Sequence, residues 1–131
     1  MSTWQVESEK INKEHEMLHQ QVIVTLAILT EKRSADERYA AIDSLRASLV
    51  DHFAGEEGFA RAYDLDLFYS LHDSHVVLTH QFDQVKESLS RGDEAGARRL
   101  MAEFANALAQ HDAEVDTPLL QIMGKGWAAG A

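Results

Sequence analysis

Ile11-Asn12-Lys13-Glu14-His15-Glu16-Met17-Leu18-His19-Gln20-Gln21-Val22-Ile23-Val24-Thr25-Leu26-Ala27-Ile28-Leu29 is the stretch that decides the fold. Within it Ile11, His15, Leu18, Val22, Leu26 and Leu29 recur at steps of three and four, the apolar stripe of an amphipathic helix. Val22-Ile23-Val24-Thr25 alone reads as a strand, but helical flanks and the absence of bounding turn residues outvote it. The longest apolar run, Val22 to Leu29, is too short to span a bilayer.

The same period continues down the chain. Ser34 followed three residues later by Glu37 is a capping-box pattern and starts a second helix. Its stripe is Ile42, Leu45, Leu49, His52, Glu56, Phe59 and Tyr63. A third stripe runs Leu71, His75, Leu78, Phe82, Val85 and Leu89, and Arg91-Gly92 supplies the chemistry of a helix C-terminus. Asp93 can cap a fourth helix with the stripe Ala97, Leu100, Phe104, Leu108, His111 and Val115, closed by the single proline, Pro118. Four helices joined by short loops predict an all-α, up-down-up-down four-helix bundle. With 131 residues and no repeat or linker, residues 1–131 read as one domain, the bundle over about 8–118 and a loosely held tail over 119–131.

Composition narrows the function. The chain has no Cys, which excludes thiolate metal sites and a cysteine nucleophile. Twelve Lys and Arg against 22 Asp and Glu give a formal charge of −10, which argues against nucleic acid and anionic membranes as partners. Met1-Ser2-Thr3-Trp4-Gln5-Val6-Glu7 lacks the basic start and apolar core of a secretory signal, so cytoplasmic residence is the expectation.

The informative residues are polar ones on apolar stripes. Each of the four stripes carries a histidine, His15, His52, His75 and His111, and Glu56 follows His52 one turn later on the same face. A lone histidine on such a face is more often a hydrogen-bonded core residue than a ligand. Four of them, one per helix, beside a core-facing carboxylate reverse that preference. Burying the carboxylate requires a cation or strong donors, and no Lys or Arg occupies a matching stripe position. A metal ion would supply the charge, held as metals in bundles are, by inward side chains on facing helices. Imidazole and carboxylate without thiolate suit iron, zinc or manganese, and more than four ligands point to a pair of irons.

In chain order the potential ligands are His15; His52 with Glu56; His72 with His75; and His111 with Asp116. Here the chain resembles the single-domain bacterial hemerythrins, of the hemerythrin-like HHE cation-binding family. Their motif is one His, then H-x3-E, H-x3-H and H-x4-D on successive helices. The resemblance covers about residues 8–118, and its matching parts are Glu14-His15 with Leu18, His52/Glu56 followed by Glu57, and His111/Asp116. The third-helix H-x3-H is absent: the chain offers His72, His75 and His80, with Leu71 where the first family histidine would stand. His72 lies about 60° around the helix from His75, close enough to share a site, whereas His80 lies about 140° away and reads as a surface residue. His19, one turn after His15, falls beside the stripe and reads as a rim residue. Asp116 is off the face of His111 by a regular count, unless the last turn before Thr117-Pro118 tightens or unwinds. Glu57 and Glu114 read as solvated.

The resemblance implies reversible dioxygen binding at a non-haem, oxo- or hydroxo-bridged di-iron centre. Glu56 and Asp116 would bridge the irons. His15 and His52 would hold the iron with the open position, and His72, His75 and His111 the saturated one. Phe53, Phe59, Leu49, Leu108 and Phe104 are candidate walls of a dry pocket, although plain core packing explains them equally well. Binding is favoured over turnover because no nucleophile pattern or Gly-rich phosphate loop accompanies the cluster. Such a protein would store oxygen, deliver it to a protein partner such as an oxygenase, or sense it through a partner. The alternative is a di-iron oxidase, a peroxidase or a nitric-oxide-reactive enzyme, which the loss of a third-helix ligand would favour. A metal-free interaction bundle is the third reading.

Overall fold

The computed structural model describes residues 3–116, and the side chains of residues 9–114. The chain forms α1 (Thr3–Thr30), α2 (Ala35–Tyr63), α3 (Leu65–Ser90) and α4 (Glu94–His111), followed by a π-helical turn, Asp112–Asp116. Each helix packs on the one before it and α4 closes on α1, which makes a four-helix bundle. Val22 to Thr25 lies within α1, so the helical flanks prevail over the local strand preference. Pro118, the tail over 119–131 and the side chain of Asp116 lie outside the described residues.

The corners follow from capping chemistry. The Ser34 hydroxyl accepts the amide of Glu37 at 3.1 Å and donates to its carboxylate at 3.3 Å, so the expected pair caps the helix through the hydroxyl. At the α3–α4 corner Gly92 takes a left-handed φ of 79°, a conformation that would strain a side chain. The Asp93 carboxylate then accepts the Gly96 amide at 2.9 Å. A Cβ on Gly96 would stand 2.2 Å from that carboxylate, so only glycine admits so close a cap. The α2–α3 corner is a single residue. Asp64 ends α2 by donating its N–H to the Ala60 carbonyl at 2.8 Å, and its carboxylate starts α3 by accepting the Asp66 and Leu67 amides at 2.8 and 3.2 Å. No breaker marks this corner in the sequence, which is why the α2 stripe reads on to Tyr63; that side chain is 42% exposed and the buried position falls on Ala60.

The stripes fill two apolar clusters. The larger holds Leu18, Val22, Leu29, Ile42, Leu45, Leu49, Phe53, Leu78, Phe82, Val85, Ala97, Met101, Phe104 and Leu108. At its centre the Phe82 and Phe104 rings lie 5.0 Å apart, each contributing roughly 1.5–3 kcal/mol by burial. The smaller, at the Asp64 end, holds Ile11, Phe59, Ala60, Phe68 and Leu71. Thr25, Ser88 and Met101 are more deeply buried than their expected neighbours Leu26, Leu89 and Leu100. A straight helix drifts relative to a fixed seam, so the inward position slips by one residue along the helix. Between the two clusters lies a polar layer. Among the described residues no helix is long and apolar enough to cross a membrane.

Candidate metal centre

The polar layer is built from the four stripe histidines. His15 from α1, His52 and Glu56 from α2, His75 from α3 and His111 at the end of α4 are all buried. His52 and Glu56 sit one helical turn apart, so they project inward together. Ligand atoms of His15, His52 and Glu56 all lie within 4.8 Å of one another, a spacing suited to one metal ion. His75 joins them at Glu56 Oε1, and its ring centroid is 5.1 Å from that of His111. The sequence thus brings His15, His52, Glu56, His75 and His111 to one layer.

Glu56 is the hub. Its Oε2 accepts from His15 Nε2 at 3.0 Å, while its Oε1 faces His52 Nε2 at 3.2 Å and His75 Nε2 at 3.4 Å. The latter contacts lack hydrogen-bond geometry: His52 Nε2, Glu56 Oε1 and His75 Nε2 are fully buried atoms with no hydrogen bond. Their protonation is set from outside. His52 Nδ1 donates to Glu14 at 3.2 Å, and His75 Nδ1 donates to Glu57 at 3.0 Å. In each neutral ring that leaves an Nε2 lone pair aimed at a carboxylate oxygen, an arrangement that is repulsive until a cation enters. Carboxylates holding the outer nitrogen of a ligating imidazole are the usual companions of a metal site. The donor set therefore fits a metal ion.

Titration follows the same logic. Burial pushes the Glu56 carboxyl upward, but the imidazoles of His15, His52 and His75 close around it outweigh burial and hold the group well below the usual carboxylate range. Burial pushes His52 downward, yet its contacts with Glu56 and Glu14 prevail over burial and over the nearby His15, and its pKa rises. A proton on His52 places positive charge beside Glu56. No guanidinium competes for that place: buried Arg38 is used at the far end of α2, on Glu94 at 2.8 Å and on the Glu31 carbonyl at 2.8 Å.

His72 is not brought into the layer. Its side chain is 49% exposed, its Nδ1 bonds Glu57, and its ring stacks on Phe68 at 5.8 Å. One turn before His75 the inward position belongs to Leu71, 1% exposed. His80 is exposed and bonds Gln84, as expected of a surface residue. Glu114 is also exposed. Glu57 is not: only 16% of its side chain is exposed, because it spans His75 and His72. The reading of Glu57 as solvated is therefore corrected. Adjacency to Glu56 was the sequence signal, but its partners sit on another helix.

Two further groups escaped sequence reading. Glu14 crosses from α1 to α2 to hold His52. Asp112, at the start of the π turn, is buried with its Oδ1 3.7 Å from His15 Nε2. Its Oδ2 bonds His19, which lies at the rim as expected. The backbone over Asp112–Asp116 is unwound into π geometry, a feature found often at functional sites.

The walls are apolar. Phe53 stacks on His75 with centroids 3.9 Å apart and planes 8° from parallel. Leu49, Phe104 and Leu108 belong to the larger cluster on one side of the layer, and Phe59 to the smaller cluster on the other. Comparison of the chain with family models, with curated proteins and with solved structures finds no match.

Proposed function

We propose that the buried histidine–glutamate layer binds a pair of iron ions and uses them to bind dioxygen reversibly, as in the hemerythrins whose motif the chain resembles. The observation that carries this reading is the trio of buried atoms without hydrogen bonds, His52 Nε2, Glu56 Oε1 and His75 Nε2, converging within 3.4 Å. Leaving such groups unsatisfied costs roughly 1–3 kcal/mol each, a cost that metal coordination removes.

His15 and His52 would hold one ion and His75 and His111 the other, with Glu56 shared between them and Asp116 as the second shared carboxylate implied by the resemblance. Iron held there would supply, and on release recover, the electrons needed for reversible dioxygen binding. Everything else falls to the chain. Glu14 and Glu57 accept the Nδ1–H of His52 and His75 and so turn their Nε2 lone pairs inward. Leu49, Phe53, Phe104 and Leu108 on one side, and Ile11, Phe59 and Leu71 on the other, exclude water from the layer. Keeping water and its protons away from the layer would favour reversible binding over turnover.

A second reading, a di-iron oxidase, a peroxidase or a nitric-oxide-reactive enzyme, is favoured by one observation. With His72 turned out to Glu57 and Leu71 turned in, the His75 side has one imidazole fewer than the motif supplies. One experiment separates the readings. Protein from iron-replete expression is reduced without oxygen, exposed to oxygen and followed by visible absorption. A stable coloured species that reverses on deoxygenation supports binding, and rapid bleaching supports turnover. Iron below about one ion per chain removes both readings.

A further inference from the structure

The polar layer is buried, but it can be approached from solvent between helices, and the approaches differ in which atoms they offer. The groove between α1 and α2, about 460 Å³, is lined by Lys10, Glu14 and His52 among others. The groove between α2 and α3, about 420 Å³, is lined by Phe53, Glu57, His72 and His75 among others. Both grooves meet the backs of imidazole rings whose Nδ1 atoms are tied to Glu14 and Glu57, so the ring stands between the groove and its own inward Nε2.

The α1–α4 corner is different. His15 and His19, four residues apart on α1, share a face, and Asp112 of the π turn lies between them. Asp112 Oδ2 bonds His19 Nε2, and Asp112 Oδ1 stands 3.7 Å from His15 Nε2. That same His15 nitrogen reaches Glu56 Oε2 at 3.0 Å. The side chain of His19 is 38% exposed, that of Asp112 12% and that of Glu56 3%. His19, Asp112, His15 and Glu56 thus form a graded line from solvent to the interior, in which every link pairs an imidazole nitrogen with a carboxylate oxygen.

We propose that His19 and Asp112 form an outer station that captures a divalent transition-metal cation and hands it to His15 and Glu56. Capture needs a partly hydrated site that supplies ligands a few at a time, because stripping all water at once is costly. His19 and Asp112 offer one nitrogen and one carboxylate, a pair suited to ferrous, cobaltous or zinc ions. The net charge of −10 raises the local concentration of cations around it. The inference rests on the reading that the polar layer holds metal.

The test follows uptake of cobalt(II) by the metal-free full-length chain, by stopped-flow absorption, with cobalt per chain measured at the end. H19A, H19Q and D112N are expected to load roughly tenfold more slowly, the lower range of what residues beyond the ligands contribute, and to reach the wild-type cobalt content and spectrum. H80A, off the line, is expected to load at the wild-type rate. Circular dichroism confirms that each variant is helical. Wild-type rates in H19A, H19Q and D112N overturn the station. Lowered final cobalt or an altered final spectrum also overturns it, by making the pair ligands of the inner site. A wild-type chain that takes up no cobalt overturns the metal reading itself, a failure visible before any variant is measured.

Discussion

If the polar layer binds metal, added metal should stabilise this bundle more as pH rises, and the signs follow from Glu56 and His52. In the metal-free chain, Glu56 is held below the usual carboxylate range, so its contribution is present above the unfolded value of about 4.3 and is lost as pH falls through the depressed value. His52 has a raised pKa, so its contribution is complete below 6.5 and is lost as pH rises through the elevated value. The metal-free chain should therefore be most stable at mildly acidic pH. Metal reverses the alkaline side, because ligation requires His52 to give up the proton that Glu56 favours. Each proton displaced changes the metal-linked stabilisation by about 1.4 kcal/mol per pH unit while the group is charged. A metal at one hundred times its dissociation constant adds about 2.7 kcal/mol. In a domain of this size that corresponds to a rise in Tm on the order of 10 °C. Calorimetric scans with chelator and with excess cobalt(II), at pH 5.5, 6.5 and 7.5 in one ionic strength, provide the assay. The gap in Tm between the two conditions should widen with pH. A gap that is constant, or that narrows as pH rises, refutes the assignment of His52 and Glu56 as the paired ligands.

Other substitutions test separate parts of the structure. H52A and H75A should each lower iron per chain by about half or more, read by elemental analysis, since no neighbouring group can replace an inward imidazole. Glu57→Gln should leave the metal count intact but weaken affinity by roughly 10- to 100-fold, because it loosens the grip on His75 Nδ1, and chelator competition measures this. H72A should leave the count unchanged; if it removes metal while Glu57→Gln does not, the outward placement of His72 is wrong. Phe104→Ala should cost about 3–5 kcal/mol in urea unfolding of the metal-free chain, through the cavity left against Phe82.

The bundle was legible because its stripes obey one period and its corners carry recognisable caps, Ser34 with Glu37, Gly92 and Asp93. The inward half of the site was legible for the same reason. His15, His52, Glu56, His75 and His111 interrupt otherwise apolar faces, and a face is a property of one helix. The outer half was not. Glu14, Glu57, His19 and Asp112 sit beside their stripes, and what they hold lies on a neighbouring helix, so their partners depend on how helices are set against each other. His72 shows the limit. An angle of about 60° from His75 permits either an inward or an outward ring, and the choice falls to Glu57 across the α2–α3 groove.

Asp64 closes one helix and opens the next, so α2 and α3 meet with no slack between them. Glu56 and His75 lie on either side of this corner, and their rotational phase is geared through it. One residue added within either helix on this path would turn the far side chain by about 100° and carry an imidazole out of the layer. The corner at residues 31–34, at the opposite end of the bundle, can absorb extra length without such a twist. Lineages of this chain should therefore vary in length at that distal loop and keep a constant count from Glu56 to His75, a spacing rule that can be read from related genomes without solving another structure.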